Sequence, residues 1–285
     1  MSKYTLGTVQ FGMNYGINNK NGQPDKSKIK DIFDLAHDSG IVSLDSAEAY
    51  GIAHSIIGDY HRSGKQLFNI NSKFSSISPE SLIDRVKYAC ELLAVEKLSI
   101  CFYHSYAEYK DKCIKPYFNK LLNDNLVEQL GVSVYTNDEF EDVINDPDIK
   151  VIQIPFNPFD NFFHRGNLIL KAKENGKRIQ VRSIFLQGLF FISPNNLKGK
   201  LVELKEELIK LNDIAQISNM TMSNLCLQYA LHYKQIDDLI IGVDTYEQLS
   251  LNLLNSTSGL SLDIIESINN IRVKNNYLLY PYNWK

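Results

Sequence analysis

The sequence predicts an α/β protein of the (β/α)8 TIM-barrel class, folded as a single domain over residues 1–285. Three observations carry this expectation. Short β-branched or aromatic runs alternate with amphipathic helical stretches from one end of the chain to the other, the pattern of a parallel sheet, and eight runs favour a closed barrel. A length of 285 residues matches one such barrel. No GxG occurs anywhere, so the glycine fingerprint that should open a doubly wound dinucleotide-binding sheet is missing.

The expected strands are residues 3–8, 41–44, 68–72, 98–103, 128–132, 150–154, 178–182 and 239–241. Between the first two, Asp25 or Ser27 can cap a helix whose inner face is Ile29, Ile32, Phe33 and Ala36, with Gly40 at its end, where left-handed backbone is often needed. After the third strand, Ser78-Pro79-Glu80 reads as a capping serine with proline at the first helical position. Leu82, Ile83, Val86, Ala89, Cys90 and Leu93 follow at helical spacing. Further helices are expected over 136–144, 201–217, 223–232, 245–254 and 262–271. Polar loops at 13–23 and 187–199 follow the first and seventh strands and so share one mouth of the barrel. The tail 275–285, with Tyr277, Tyr280, Tyr282 and Trp284, is placed to fold over that mouth.

Composition excludes several classes. The net charge of -3 comes from 30 basic and 33 acidic residues with no basic block, which argues against nucleic acid or a membrane surface as partner. Cys90, Cys101, Cys113 and Cys226 form no CxxC pair and have no metal-ligand spacing, so they are expected to be reduced and no metal is expected. The first residues lack a signal-type pattern, and no window reaches the ~18 apolar residues of a membrane span, so a cytoplasmic location is expected. GxxxxGKS/T, HExxH and GxSxG motifs are all absent. Nothing in the pattern sets an oligomeric state.

In a (β/α)8 barrel the loops at the strands' C-terminal ends build the active site, so ionisable residues there carry the chemistry. Three successive strands end in such residues: Asp45 after 41–44, Lys73 after 68–72 and His104 after 98–103. Tyr50 follows Asp45 by five residues. An acid, an amine, an imidazole and a phenol around one pocket suit carbonyl reduction. The alkoxide that forms needs a proton donor and a hydrogen-bonding environment. Tyr50 can donate the proton, Lys73 is expected to draw its pKa down from ~10, Asp45 to keep Lys73 charged, and His104 to orient the substrate oxygen. Each residue alone has an ordinary structural reading: an N-cap for the Asp, a solvated surface group for the Lys, a satisfied core or surface group for the His.

Together with Leu6-Gly7-Thr8, Gly131-Val132-Ser133, Gln153-Ile154-Pro155-Phe156-Asn157, Leu186-Gln187-Gly188-Leu189 and the segment 241–249, the four make the chain resemble an aldo-keto reductase over nearly its whole length. The specific part is Asp-x4-Tyr followed by the strand-end Lys and His. The resemblance implies reduction of a small-molecule aldehyde or ketone with NADP(H), NAD(H) being possible, and a cofactor lying across the barrel mouth without a Rossmann unit. It implies that Ser133 and Gln153 hold the carboxamide, that Gly7 and Thr8 lie along the nicotinamide ribose, and that Leu186, Gln187, Gly188 and Leu189 meet the pyrophosphate. Gly242, Val243, Asp244, Gln248 and Asn252 would cradle the adenosine end.

Two departures from the family pattern stand out. Val134 occupies a position where many members have an Asn that contacts the carboxamide, and Asp244 lies in a segment where many have a cation for the 2'-phosphate. The second departure argues against a strict NADP preference. Arg182, Ser183, Tyr15, Asn157 and Arg165 are candidates for the substrate side, and a short segment after His104 suggests an open mouth suited to a polar, sugar-like carbonyl. Two rivals remain: a cofactor-sensing or partner-binding barrel with little turnover, and a barrel isomerase or lyase.

Overall fold

Eight strands, each pairing in parallel with the next, close on themselves when the first meets the eighth, with Leu6 beside Ile241 and Gly7 beside Gly242. The computed structural model describes residues 3–19, 22–64, 67–254 and 259–284. Lys20 and Asn21 of the first expected loop and Lys285 of the tail lie outside them. The strands are β1 Tyr4–Gly7, β2 Ser43–Asp45, β3 Asn69–Phe74, β4 Leu98–Tyr103, β5 Val127–Ser133, β6 Ile149–Pro155, β7 Arg178–Arg182 and β8 Asp238–Gly242. Strands covered on both faces need apolar side chains in both directions, which is why they read as near-continuous hydrophobic runs.

The helices are α1 Val9–Gly12, α2 Lys26–Asp38, α3 Ala53–Arg62, α4 Leu82–Leu93, α5 Tyr106–Lys110, α6 Lys115–Asn123, α7 Asn137–Ile144, α8 Phe162–Glu174, α9 Lys205–Ile217, α10 Met222–His232, α11 Tyr246–Leu254 and α12 Leu262–Asn269. Among the described residues, none is long and apolar enough to cross a membrane. In α2 the expected face, Ile29, Ile32, Phe33 and Ala36, is buried, and Gly40 has φ +77° two residues after the last helical residue. Ser78 does not cap α4. It takes a left-handed conformation (φ 47°), and its carbonyl accepts from the Ser81 hydroxyl at 2.8 Å, so a 3-10 turn, Pro79–Ser81, precedes the helix. Proline fixes the first turn, and the serine turns the chain into it instead of sealing it.

Helices α3 and α8 were not among those expected from periodicity. The buried face of α3 includes His54, His61 and Gly58. That of α8 includes Arg165 and Gly166. Polar residues on an inner face erase the apolar stripe by which an amphipathic helix is recognised.

The lower barrel is filled by Ile100, Phe102 and Val151, which form a buried cluster apart from the main core. β5 passes close to this plug: a Cβ on Gly131 would lie 2.4 Å from the Phe102 ring, so only glycine fits there. Above the plug the interior turns polar.

Candidate active site

The mouth at the C-terminal ends of the strands opens into a cleft of ≈ 790 Å³. Asp45, Tyr50, Lys73 and His104 all line it, brought together from β2, its following loop, β3 and the end of β4. Lys73 is 2% exposed, and its Nζ donates to Asp45 Oδ2 at 2.5 Å and to the Ser46 carbonyl at 3.0 Å. The Thr8 hydroxyl donates to the Asp45 carbonyl at 3.1 Å, which ties β1 to the carboxylate-bearing turn. Gln153 Nε2 donates to the other carboxylate oxygen at 2.9 Å and reaches Gln180 Oε1 at 3.4 Å. Two charges taken out of water are tolerable only when paired and hydrogen-bonded in this way.

The Lys73 ammonium lies 5.2 Å from the centre of the Tyr50 ring, and the Tyr50 and His104 rings meet edge to face with centroids 6.3 Å apart. Burial, reinforced by the Asp45 carboxylate and opposed by Arg182, pushes the Tyr50 phenol well above its ordinary value. This differs from the expectation that Lys73 would draw the phenol down. The ammonium is committed to Asp45, and desolvation outweighs its reach. Burial also lowers Lys73, against the pull of Asp45. Burial, then the charges of Lys73 and Arg182, hold His104 at about 4, so at neutral pH it is an uncharged imidazole with one N–H to give. His54, on α3, is likewise held at about 4 by burial and then Lys73, and shares a hydrogen bond with the Ser72 hydroxyl at 3.0 Å. The site is therefore built to keep a phenol protonated and an imidazole neutral around a cleft large enough for small molecules.

Of the residues expected to meet a cofactor, Gly7, Thr8, Ser133, Gln153, Gln187, Gly188, Gly242, Asp244, Gln248 and Asn252 line the cleft. Leu186, Leu189 and Val243 turn their side chains into the core instead, at 0%, 0% and 1% exposure. Leu186 and Gln187 both take positive φ, a turn that buries the flanking leucines and leaves Gln187 and Gly188 facing the cleft. Gln187 joins the two expected loops: its Nε2 donates to the Tyr15 hydroxyl at 2.9 Å, and its carbonyl accepts from Ile17 N–H at 3.1 Å. A Cβ on Gly188 would press against Asn18 at 3.0 Å, so this clasp also needs glycine. At the far end Gln248 Oε1 accepts from the Asp244 backbone N–H at 2.7 Å, and Asn252 accepts from the Ser223 hydroxyl at 2.7 Å.

The substrate-side candidates divide. Tyr15, Arg182 and Ser183 line the cleft. Asn157 is fully buried and organises the loop after β6, accepting from Phe159 and Asp160 N–H. Arg165 is fully buried in an ion pair with Asp160 at 2.6 Å and also donates to the Tyr135 carbonyl. The tail does close on the mouth: Pro281 lines the cleft, and Tyr280 and Tyr282 pack edge-on against Tyr135 at 5.5 and 4.9 Å. Sequence reasoning missed Tyr135 and Gln180. The alternation of β7 puts Gln180 and Arg182 on the same, inward face, and that signal could have found the glutamine.

The donor set fits a nicotinamide cofactor. Gln153 Oε1 is buried and without a hydrogen-bond partner among the described residues, an acceptor that a carboxamide N–H₂ would satisfy, and Ser133 lines the same cleft.

The aldo/keto reductase family model matches residues 4–272. Among solved structures, an aldo-keto reductase from Bacillus halodurans in its holo form superposes with a TM-score of 0.75 at 18% identity, covering 95% of this chain and 92% of that one. A Pseudomonas aeruginosa protein described as an aldo-keto reductase gives 0.68 at 18% identity over 90% and 89%. No curated protein matches the sequence.

Proposed function

The chain belongs to the aldo/keto reductase family, and we propose that it is an NAD(P)H-dependent oxidoreductase that reduces an aldehyde or ketone, with Tyr50 as proton donor and the barrel acting as one domain. The observation that carries this reading is the convergence of Tyr50, the buried Lys73–Asp45 pair and neutral His104 on one open cleft. When bound, the nicotinamide supplies hydride to the carbonyl carbon. The work of the chain is the rest. His104 donates its N–H to the carbonyl oxygen and fixes its direction, and Tyr50 passes its phenolic proton to that oxygen as negative charge develops. Lys73 stands beside the phenol, and Asp45, itself held by Gln153, keeps Lys73 in place.

Gln153 and Ser133 would hold the carboxamide, Gly7 and Thr8 the adjoining ribose, Gln187 and Gly188 the pyrophosphate, and Asp244, Gln248 and Asn252 the adenosine end. Leu186, Leu189 and Val243 would contribute through backbone alone. The reading is tested by following NADPH and NADH absorbance with a carbonyl panel that includes keto-sugars. Consumption in step with carbonyl loss supports it, and turnover of a substrate with no net change in absorbance supports an isomerase or lyase instead.

Cofactor choice follows from Asp244. Burial raises its pKa, with the Gln248 hydrogen bond opposing. Its backbone N–H is occupied by Gln248 and so is not free for a phosphate. A carboxylate next to a bound 2'-phosphate would oppose it, by roughly 3 kcal/mol per charge at ~5 Å and an effective dielectric near 20, cut to ~1 kcal/mol by solvent and salt. NADPH is therefore expected to hold only a small advantage over NADH. Asp244→Arg is expected to tighten NADPH by roughly tenfold while leaving NADH little changed. Dissociation constants from fluorescence quenching check this, and a strong wild-type NADPH preference that the variant leaves unmoved contradicts it.

A further inference from the structure

The charges around Tyr50 do not cancel. Asp45 and Lys73 neutralise each other at 2.5 Å, which leaves the Arg182 guanidinium uncompensated at this end of the cleft. Asp244, the other acid among the described lining residues, is not among the charges that act on Tyr50, Lys73 or His104, whereas Arg182 acts on all three.

Arg182 is the last residue of β7, one alternation above Gln180, so it rises from the barrel interior to the mouth. Its guanidinium carbon lies 4.1 Å from the centre of the Tyr135 ring, which holds the planar group flat. Its two hydrogen bonds are long, 3.2 Å from Nη2 to the Val134 carbonyl and 3.4 Å from Nη1 to the Ser183 hydroxyl. A guanidinium carries five N–H donors, so most of this capacity is unspent. Among the described residues no carboxylate lies within ion-pair distance of it, whereas Arg165 nearby is saturated by Asp160, Asn137 and the Tyr135 carbonyl. One arginine builds the wall, and the other is left open to the cleft.

We propose that Arg182 selects substrates whose carbonyl compound also carries an oxyanion, a carboxylate or a phosphate-type group, which the guanidinium grips while Tyr50 and His104 face the carbonyl. The inference rests on the reductase reading of this cleft and names its substrate class. A planar fork matches two oxygens of such a group at once, and the half-buried setting makes those charge-assisted bonds count. The hydroxyls of Tyr15 and Ser183 stand in the same lining to take further oxygens. A neutral substrate would cover the guanidinium without pairing it.

The test compares kcat/KM for neutral carbonyls (glyceraldehyde, methylglyoxal), carboxylated ones (glyoxylate, succinic semialdehyde) and a phosphorylated one (glyceraldehyde 3-phosphate) in wild type, Arg182→Gln and Arg182→Lys. Dissociation constants for NADPH and NADH are measured alongside. The wild type is expected to favour the charged compounds. Arg182→Gln should shrink that advantage about 10- to 100-fold, the range of a hydrogen bond to a charged group, with the change carried by KM, and Arg182→Lys should keep part of it. Whichever charged group shows the larger wild-type advantage identifies the source of the oxyanion. Equal losses on neutral and charged compounds, or a weakened cofactor in Arg182→Gln, would overturn the proposal by assigning Arg182 to the cofactor. A wild type that reduces neutral compounds best overturns it while leaving the reductase reading intact. Absence of cofactor oxidation with every compound defeats both.

Discussion

Tyr50→Phe is expected to lower the rate of carbonyl reduction by about 10² to 10⁴, the contribution of a positioned general acid, while leaving cofactor dissociation constants and thermal unfolding little changed. The phenol is the only group of the four that is both protonated at neutral pH and free of a competing partner in the described structure. Lys73 is spent on Asp45 and the Ser46 carbonyl. His104, held at about 4, has one proton that serves to orient the oxygen, and losing it would place a negative imidazolate beside the developing alkoxide. Steady-state kinetics with the best compound of the carbonyl panel measure the effect, and near-wild-type turnover in Tyr50→Phe would remove the phenol from the mechanism.

Lys73→Met is expected to cost both activity and stability. Removing the ammonium strands Asp45, 4% exposed, as a buried carboxylate with Gln153 as its one remaining side-chain donor among the described residues, a loss of about 3–5 kcal/mol. The sign of its pH dependence is fixed. A buried charge left without its partner costs most while it is ionised, so the variant's deficit relative to wild type is greatest at neutral pH and shrinks in acid. The difference between the proteins is the quantity to read, because wild type itself weakens in acid. His54 and His104, lowered to about 4, contribute stability that is present above the unfolded value of ~6.5 and lost as pH falls toward 4. Asp45→Asn combined with Lys73→Met should recover much of the loss. Urea unfolding at two pH values checks this, and a Lys73→Met protein as stable as wild type at pH 7 would mean that the pair adds nothing to the fold.

Much of the architecture was legible because parallel strands in a barrel are apolar on both faces and end at a fixed mouth. Asp45, Lys73 and His104 stand out as the first ionisable residues after such runs. What was hidden shares one physical cause, a polar residue on an inner surface. His54 and His61 disguise α3, Arg165 disguises α8, and Gln180, the buried amide that Gln153 reaches at 3.4 Å, reads in the sequence as ordinary strand polarity. The turn at 186–189 misled in the opposite direction. A run of two leucines around Gln187-Gly188 suggested four contacts, but positive φ at Leu186 and Gln187 sends the leucines inward and only the middle pair outward. Ser78 had the composition of a cap but the backbone of a turn, and only φ distinguishes the two. The Tyr50 phenol was expected to be drawn down by Lys73, yet a single carboxylate at 2.5 Å redirects that ammonium.

The central claim is that this cleft moves hydride from a nicotinamide to a carbonyl carbon while Tyr50 supplies the proton. Its most direct test is isotopic: the protein is turned over with NADPH or NADH carrying deuterium at both C4 positions of the nicotinamide, and the product alcohol is examined by mass spectrometry and NMR. The account predicts deuterium on the former carbonyl carbon and none exchanged with solvent at that position. A product formed without the label, or with hydrogen from water on that carbon, would contradict it.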